Sequence, residues 1–471
     1  MTLIAGVLVY DHEGDVHQPV VRDIRVTGGL ITAVTPPGVM PPGVMPPGED
    51  LVDGRGMLCL PGFVNAHHHS YDVLARGLLE DMPFDLWALH SQPAYLGPRG
   101  RRELRVRTIL GALECLRSGI TTVQDMCSLV PFDEETLDTI LDAYAEVGIR
   151  VVFSIAVRDV PELDIHPFLR DVPADVIVLG PSAAPPAAEQ IAFVTAQLRR
   201  RPAAGLHTWA LSPAGPQRAT VELLEGLAAL SADHDLPVFT HVYETKAQTA
   251  KARQIYPATD GSMIGHLREV GLLTARTNLV HAVWITPEEL AEVAAAGSRI
   301  VHNPVSNMKL KSGIAPMARA WRAGVDVALG CDNCSCGDTH NMFQAMKGLC
   351  LLAGVSSPTP NGLLAHHAIR AATVTGARAA RLDVGAIQVG APADLVLLDI
   401  NDLAYQPFNS AARQVVYAET GRGVRTVLVN GRVVLRDGAF VTVDEADLLA
   451  ELTEVMPRFR ADFTAAAARA R

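Results

Sequence analysis

The chain has 471 residues, 49% of them hydrophobic and 19% charged, which is material for a soluble globular protein with a large core. Its formal net charge of -11 leaves no basic footprint for a polyanion, so a nucleic-acid polymer is excluded as the expected partner. No apolar run approaches membrane length and no basic region precedes the apolar N-terminus, so no membrane contact and a cytoplasmic location are expected.

In chain order, three β-like runs come first: Leu3 to Tyr10, Asp23 to Val34 and Leu51 to Leu60, punctuated by Asp/Gly turns. Between the second and third, residues 36–48 repeat Pro-Pro-Gly-Val-Met, which can supply neither ladder donors nor a helix and reads as a surface loop. The apolar run Met57 to Val64 reads as a buried strand that ends in His67-His68-His69. Side chains alternate faces along a strand, so His67 and His69 should point one way and His68 the other. Two neutral imidazoles on one side of a strand end can share a divalent ion; alone, they read more readily as a polar strand end.

From about Pro61 to Leu382 short apolar strands alternate with longer helical stretches. The further strand candidates are Ile120 to Val123, Val151 to Ile155, Leu206 to Leu211, Pro237 to Thr240, Asn278 to Val280, Arg299 to Val301 and Val325 to Gly330. Helical patterns such as Glu288 to Ala295 and Pro316 to Ala323 follow them. Eight β-then-α units close most naturally as a (β/α)8 TIM-like barrel; a doubly wound open sheet would want a G-x-G-x-x-G after a strand, and none is in context. β-patterns return at Asp394 to Ile400 and at Val424 to Leu435, the latter turning at Asn430-Gly431. The expected organisation is therefore a small β-sandwich domain built from residues 1–57 and 385–443, a barrel over 58–384, and a C-terminal helix over 444–471. Seven cysteines, an odd number spread from Cys59 to Cys350, read as reduced thiols.

A barrel places its chemistry at the C-terminal ends of its strands. The fifth strand ends in His241-Val-Tyr-Glu244, the sixth in His281, the seventh in His302-Asn303 and the eighth in Asp332-Asn333. Each could singly be a solvated terminus; their recurrence at four successive strand ends, beside the first strand's histidines, points to one site.

Taken together, Pro61-Gly-Phe-Val-Asn-Ala-His67-x-His69, His241-x-x-Glu244-Thr, Val280-His281-Ala, the segment from His302 through Asn307 and Gly313 to Pro316, and Gly330-x-Asp332 resemble the amidohydrolase superfamily. Within it the chain is similar to the branch of methylthioadenosine/S-adenosylhomocysteine deaminases and triazine chlorohydrolases and deaminases. Gly385-x-Ile-x-x-Gly390-x-x-Ala-Asp394 is similar to that branch too. The resemblance implies one divalent ion per chain, zinc foremost, with iron, cobalt and manganese compatible. It implies His67, His69, His241 and Asp332 as ligands, His281 as a ligand or partner of the ion's water, and Glu244 as proton shuttle. Such a ligand set leaves a position for water and lowers its pKa; Glu244 can relay a proton, Asp332 can take a second, and His281 can polarise the atom under attack.

His302, Asn303, Asn333, Cys336 and Trp87 are the candidate substrate contacts, with Leu78, Met82 and Phe84 beside Trp87 as an apolar entrance. One departure is notable. Nucleoside deaminases of the branch carry a histidine after the fourth strand, where this chain reads Trp209-Ala210-Leu-Ser212-Pro213, which weakens purine nucleosides as substrates. The expected activity is attack of metal-activated water on an sp2 carbon of a small molecule, displacing an amine, halide or thiol. Hydrolysis of a urea, carbamate or thiocarbamate is the alternative, and a non-catalytic barrel acting in assembly is the reading outside enzymes. A small-molecule substrate and further copies of the chain, as a homo-oligomer, are the expected partners.

Overall fold

The computed structural model describes residues 1–38, 50–91, 97–160, 184–356, 360 and 362–469, so most of the Pro-rich repeat lies outside the described residues. Eight parallel strand positions form the barrel. Phe63–His69, Ile120–Cys127 and Arg150–Val157 pair in sequence, and the fourth position, His207–Trp209 continuing in Ser212–Pro213, pairs with the third. Val238–Val242, Thr277–His281, Arg299–His302 and Val327–Leu329 form the other arc.

Two short junctions close the ring. Phe239 N–H donates to Leu211 O at 2.9 Å. On the other side the eighth strand shifts partners at Gly330-Cys331, so that Asp332–Asn333 pairs with His68 and His69. A Cβ on Gly330 would stand 2.3 Å from Asn303 Oδ1 and 2.7 Å from His67 Cβ, so only glycine lets the eighth strand approach the first this closely. Inside, Ala66, Met126, Val152, Ala210, Phe239, Val280, Val301 and Ala328 pack as one cluster, one residue from each strand position. Small residues opposite Phe239 let the layer fill without a pore. The covering helices begin where caps are encoded: Thr286 Oγ1 accepts from Glu289 N–H at 3.2 Å, a capping box that starts Pro287–Ala295.

Strands from both chain ends hydrogen-bond into one nine-stranded sheet, in which Met57–Pro61 bridges Thr2–Val9 and Leu395–Asp399. Ile4, Val7, Ile24, Ile31, Cys59, Leu395 and Leu428 form its core. The hairpin turn falls at Asn430-Gly431, both at positive φ (49° and 76°), as a tight two-residue turn requires. The apolar run Met57 to Val64, expected as one strand, is two. Met57–Pro61 belongs to the end sheet and Phe63–His69 to the barrel. Gly62 is the crossing: its N–H donates to Asp394 O at 2.8 Å, the next, Phe63 N–H, to Gly119 O at 2.9 Å, and a Cβ there would meet Thr121 Oγ1 at 2.2 Å. Arg150 at the start of the third barrel strand grips Asp394 of the end sheet through two 3.0 Å bonds, both residues buried.

The C-terminal helix Glu445–Arg469 packs against the barrel instead of trailing from it. Phe459 and Phe463 join Leu74, Leu79, Phe84 and Trp87 in one apolar cluster, so this helix backs the loop that follows the first barrel strand. Arg99 reinforces the contact, bonding Asp462 at 2.7 Å with its guanidinium 5.8 Å from the Phe459 ring.

Candidate metal centre and active site

Period two on the strand Phe63–His69 turns His67 and His69 into the barrel mouth, and the fifth strand brings His241 across to them. Their Nε2 atoms converge: His67 to His69 is 3.0 Å and His67 to His241 is 3.1 Å. The outer nitrogens of two of these rings are anchored on backbone carbonyls, His69 Nδ1 on Met126 O and His241 Nδ1 on Ala214 O, each at 2.6 Å. A carbonyl can only accept, so the proton sits on Nδ1 and the Nε2 lone pair faces inward, the orientation of a metal-ligating imidazole. Burial, then the neighbouring His69, pushes His67 down to about 4, and burial with His67 holds His241 well below the ordinary range. Neutral rings with lone pairs facing each other at this spacing repel unless a cation lies between them. The three donors therefore fit a metal ion.

Asp332 completes the cradle, with Oδ1 3.5 Å from Nε2 of both His67 and His69. Burial alone would raise its carboxyl, but the imidazoles of His67, His281 and His69 packed around it hold it well below the ordinary carboxylate range. Ser306 Oγ donates to its Oδ2 at 2.6 Å and Asn333 N–H to its Oδ1 at 2.8 Å. His281 stands alongside, Nε2 3.9 Å from Asp332 Oδ2 and 3.8 Å from Glu244 Oε2. Its Nδ1 meets Asn307 Oδ1 at 2.9 Å, so its proton also lies outward. His281 thus presents an acceptor to the site, suited to ligation or to taking a proton from water; polarising the atom under attack would require a donor. Glu244 is fully buried at the head of the helix Lys246–Ile255, its N–H held by Gln248 Oε1 at 2.8 Å. Burial, then the Asp332 charge, raises its carboxyl well above the ordinary range, so it retains a proton readily. Tyr243, His281 and Asp332, all at strand ends, adopt positive φ of 50°, 73° and 66°. Such strain in non-glycine residues collects at functional sites.

A pocket opens over this group. His69, His241, Glu244, His281 and Asp332 form its floor, and the expected contacts Trp87, Asn333 and Cys336 line its wall. Phe84 lines it too, whereas Leu78 is exposed and Met82 packs on the apolar cluster beneath. His302 and Asn303 are buried behind His281, with Asn303 Nδ2 3.4 Å from its Nδ1, and do not line the pocket. Sequence reasoning passed over Tyr71, Arg158, Gln217, Arg218 and Gln248, which all line it. Arg158 directly follows the third barrel strand, so the strand-end rule could have found it. Gln217 and Arg218 sit in a short turn after the fourth strand, where no periodic pattern marks them.

The amidohydrolase family model matches residues 58–434. The chain is 32% identical over 416 residues to the 5'-deoxyadenosine deaminase of Methanothermobacter thermautotrophicus, covering 86% of this chain and 88% of that one. It is 30% identical over 461 residues to the 5-methylthioadenosine/S-adenosylhomocysteine deaminase of Pyrococcus furiosus, covering 97% and 100%. Among solved structures, an adenosine deaminase from Xanthomonas campestris with bound zinc superposes with a TM-score of 0.85 at 28% identity, over 98% of both chains. Atrazine chlorohydrolase from Arthrobacter aurescens complexed with zinc gives 0.85 at 25% identity, over 97% of this chain and 100% of that one. The barrel, its converging imidazoles and a family match running from the crossing strand into the C-terminal hairpin agree: this chain belongs to the amidohydrolase family.

Proposed function

We propose that the protein hydrolyses an exocyclic C–N bond of a small nitrogen heterocycle, replacing an amine on an sp2 carbon by the oxygen of water and releasing ammonia. The observation that carries this reading is the meeting of three Nε2 atoms, two of them with the lone pair turned inward, and the Asp332 carboxylate beside His281 and Glu244. His67, His69, His241 and Asp332 would hold one divalent ion, zinc foremost, which when bound supplies a Lewis acid that lowers the pKa of water toward neutrality. Glu244 Oε2 takes a proton from the attacking water. Because burial favours its protonated form, the proton is kept for the leaving nitrogen instead of being lost to solvent. His281 Nε2 and Asp332 are the acceptors placed for the second water proton. Tyr71, Phe84 and Trp87 offer aromatic surface and Met126 apolar surface for a ring, while Arg158, Gln217 and Arg218 line the same pocket as polar groups.

The named relatives favour an adenine-type ring, and the missing histidine after the fourth strand disfavours an ordinary nucleoside. A panel decides. Adenosine, 5'-deoxyadenosine, methylthioadenosine, an aminotriazine, a chlorotriazine, a phenylurea and a thiocarbamate are incubated with zinc-loaded enzyme, scoring ammonia, chloride and thiol. Ammonia from one or more heterocycles supports the reading; turnover confined to the urea or thiocarbamate replaces it with the alternative. A cytoplasmic location belongs to the proposal, supported by seven buried, unpaired cysteines that suit a reducing compartment. No helix among the described residues is long and apolar enough to cross a membrane. Self-association into a homo-oligomer is part of the same proposal, read by sedimentation.

A further inference from the structure

The middle histidine of the triplet serves no step of the reaction. His68 points out of the barrel, fully buried, toward the helix Arg101–Arg117, where a Cβ on Gly111 would lie 3.7 Å from its Cε1. There its Nδ1 is 3.2 Å from Nε2 of His340, the two rings 4.4 Å apart and steeply inclined at 76°. The Cys115 thiol, on that same helix, joins them: one donor atom from each of His68, Cys115 and His340 lies within 4.8 Å of the other two, and all three residues are buried.

We infer that His68, Cys115 and His340 form a second metal site, which takes a zinc ion on the outer side of the barrel wall. Two imidazoles and a thiolate are a soft set that suits zinc. With metal–nitrogen distances of about 2.0–2.1 Å, two nitrogens of a tetrahedral site stand roughly 3.3 Å apart. The 3.2 Å between His68 and His340 matches that edge and repeats the 3.0 and 3.1 Å of the catalytic cradle. Behind His340, Glu114 Oε2 lies 3.1 Å from Nδ1, and Arg76 holds Glu114 in turn. A carboxylate at the back of a ring places the proton on Nδ1 and leaves the Nε2 lone pair for an ion, a recurrent arrangement behind zinc-bound histidines. The Cys115 thiol also meets the Asn65 side chain and is pushed well up by burial, so an ion bound here would have to displace its proton. A surface cavity of about 510 Å³, lined in part by Glu114, Ser118, Thr339 and His340, reaches the His340 side of the cluster. The ion would tie the strand bearing His67 and His69 to a barrel helix and to the segment after the eighth strand, stiffening the catalytic strand from behind.

Cobalt substitution tests this directly, because the catalytic donors carry no sulfur and a thiolate-to-cobalt charge-transfer band in the near ultraviolet reports a thiolate site. Protein loaded with cobalt should hold two ions per chain and show the band. Cys115→Ser and His340→Gln should each bind one ion fewer, and the band should be absent from Cys115→Ser. His241→Ala should lose turnover and one ion yet keep the band, which separates failure of this site from failure of the catalytic reading. One cobalt per chain without a band in the wild type, or a band that persists in Cys115→Ser, overturns the assignment. The wild-type count and spectrum decide the matter even if a variant fails to fold.

Discussion

Replacing Glu244 by glutamine isolates proton transfer from everything else the site does. The side chain is fully buried and its backbone N–H is fixed by Gln248, so a residue of the same shape should occupy the same place. Burial and the Asp332 charge already favour an uncharged group at this position, so the amide adds no desolvation cost and the melting temperature should not fall. Metal content should be that of the wild type, since Glu244 is outside the converging donor group. What disappears is a group that accepts a proton from water and returns it to the leaving nitrogen. General acid–base groups contribute about 10²- to 10⁴-fold, and a single carboxyl serving both steps belongs near the top, roughly 5 kcal/mol of barrier. Steady-state ammonia release on the best panel substrate gives the rate, and calorimetric titration with that substrate gives binding, which should stay within a few-fold. A variant keeping more than about a tenth of wild-type turnover would show that the proton travels by another route.

Asn307→Ala removes the acceptor that fixes the His281 proton on Nδ1. Turnover should fall by about 10- to 100-fold with the fold intact, and an unchanged rate would deny the tautomer a role. Asp394→Ala strands the buried Arg150 guanidinium at the joint between barrel and end sheet. Denaturant melts should show a loss of about 3 to 5 kcal/mol, and a loss under about 1 kcal/mol would mean the joint is held by apolar packing alone. Phe459→Ala empties the cluster in which the C-terminal helix supports Phe84 and Trp87. KM should rise more than kcat falls, because the pocket wall loosens while the floor of converging imidazoles is untouched; an unchanged KM refutes the support.

The strand-end residues were legible because two simple periodicities coincide there. Alternation along a strand fixes which of His67, His68 and His69 face inward, and barrel architecture fixes which end of each strand carries chemistry. The division of Met57 to Val64 was not legible. The run carries a local mark, Pro61-Gly62, but a breaker pair does not say that the strand changes sheets, and the close approach that requires Gly62 is to Thr121, some sixty residues away in the chain. Composition points to Trp87 as a substrate contact, but what holds it, a 3.0 Å bond from its Nε1 to Ser335 Oγ and an apolar cluster shared with Phe459 and Phe463, is tertiary and encoded in no local pattern. Arg218 and Gln217 were missed for a similar reason: a three-residue turn has no period to betray which face it presents. Alternation turns His68 away from the barrel interior, and only the packing of His340 and Cys115 against it gives that orientation a meaning.

The most direct test of the catalytic centre is zinc-dependent recovery of turnover after exhaustive chelation, measured as ammonia release in the wild type and in His241→Ala. His241 supplies one of the three converging Nε2 atoms and lies outside the second site. Activity should vanish on chelation in the wild type and return on adding zinc, whereas His241→Ala should stay inactive at every zinc concentration while remaining folded. Turnover that survives chelation, or a His241→Ala enzyme that zinc restores to wild-type rate, would contradict a metal-dependent hydrolysis centred on these imidazoles.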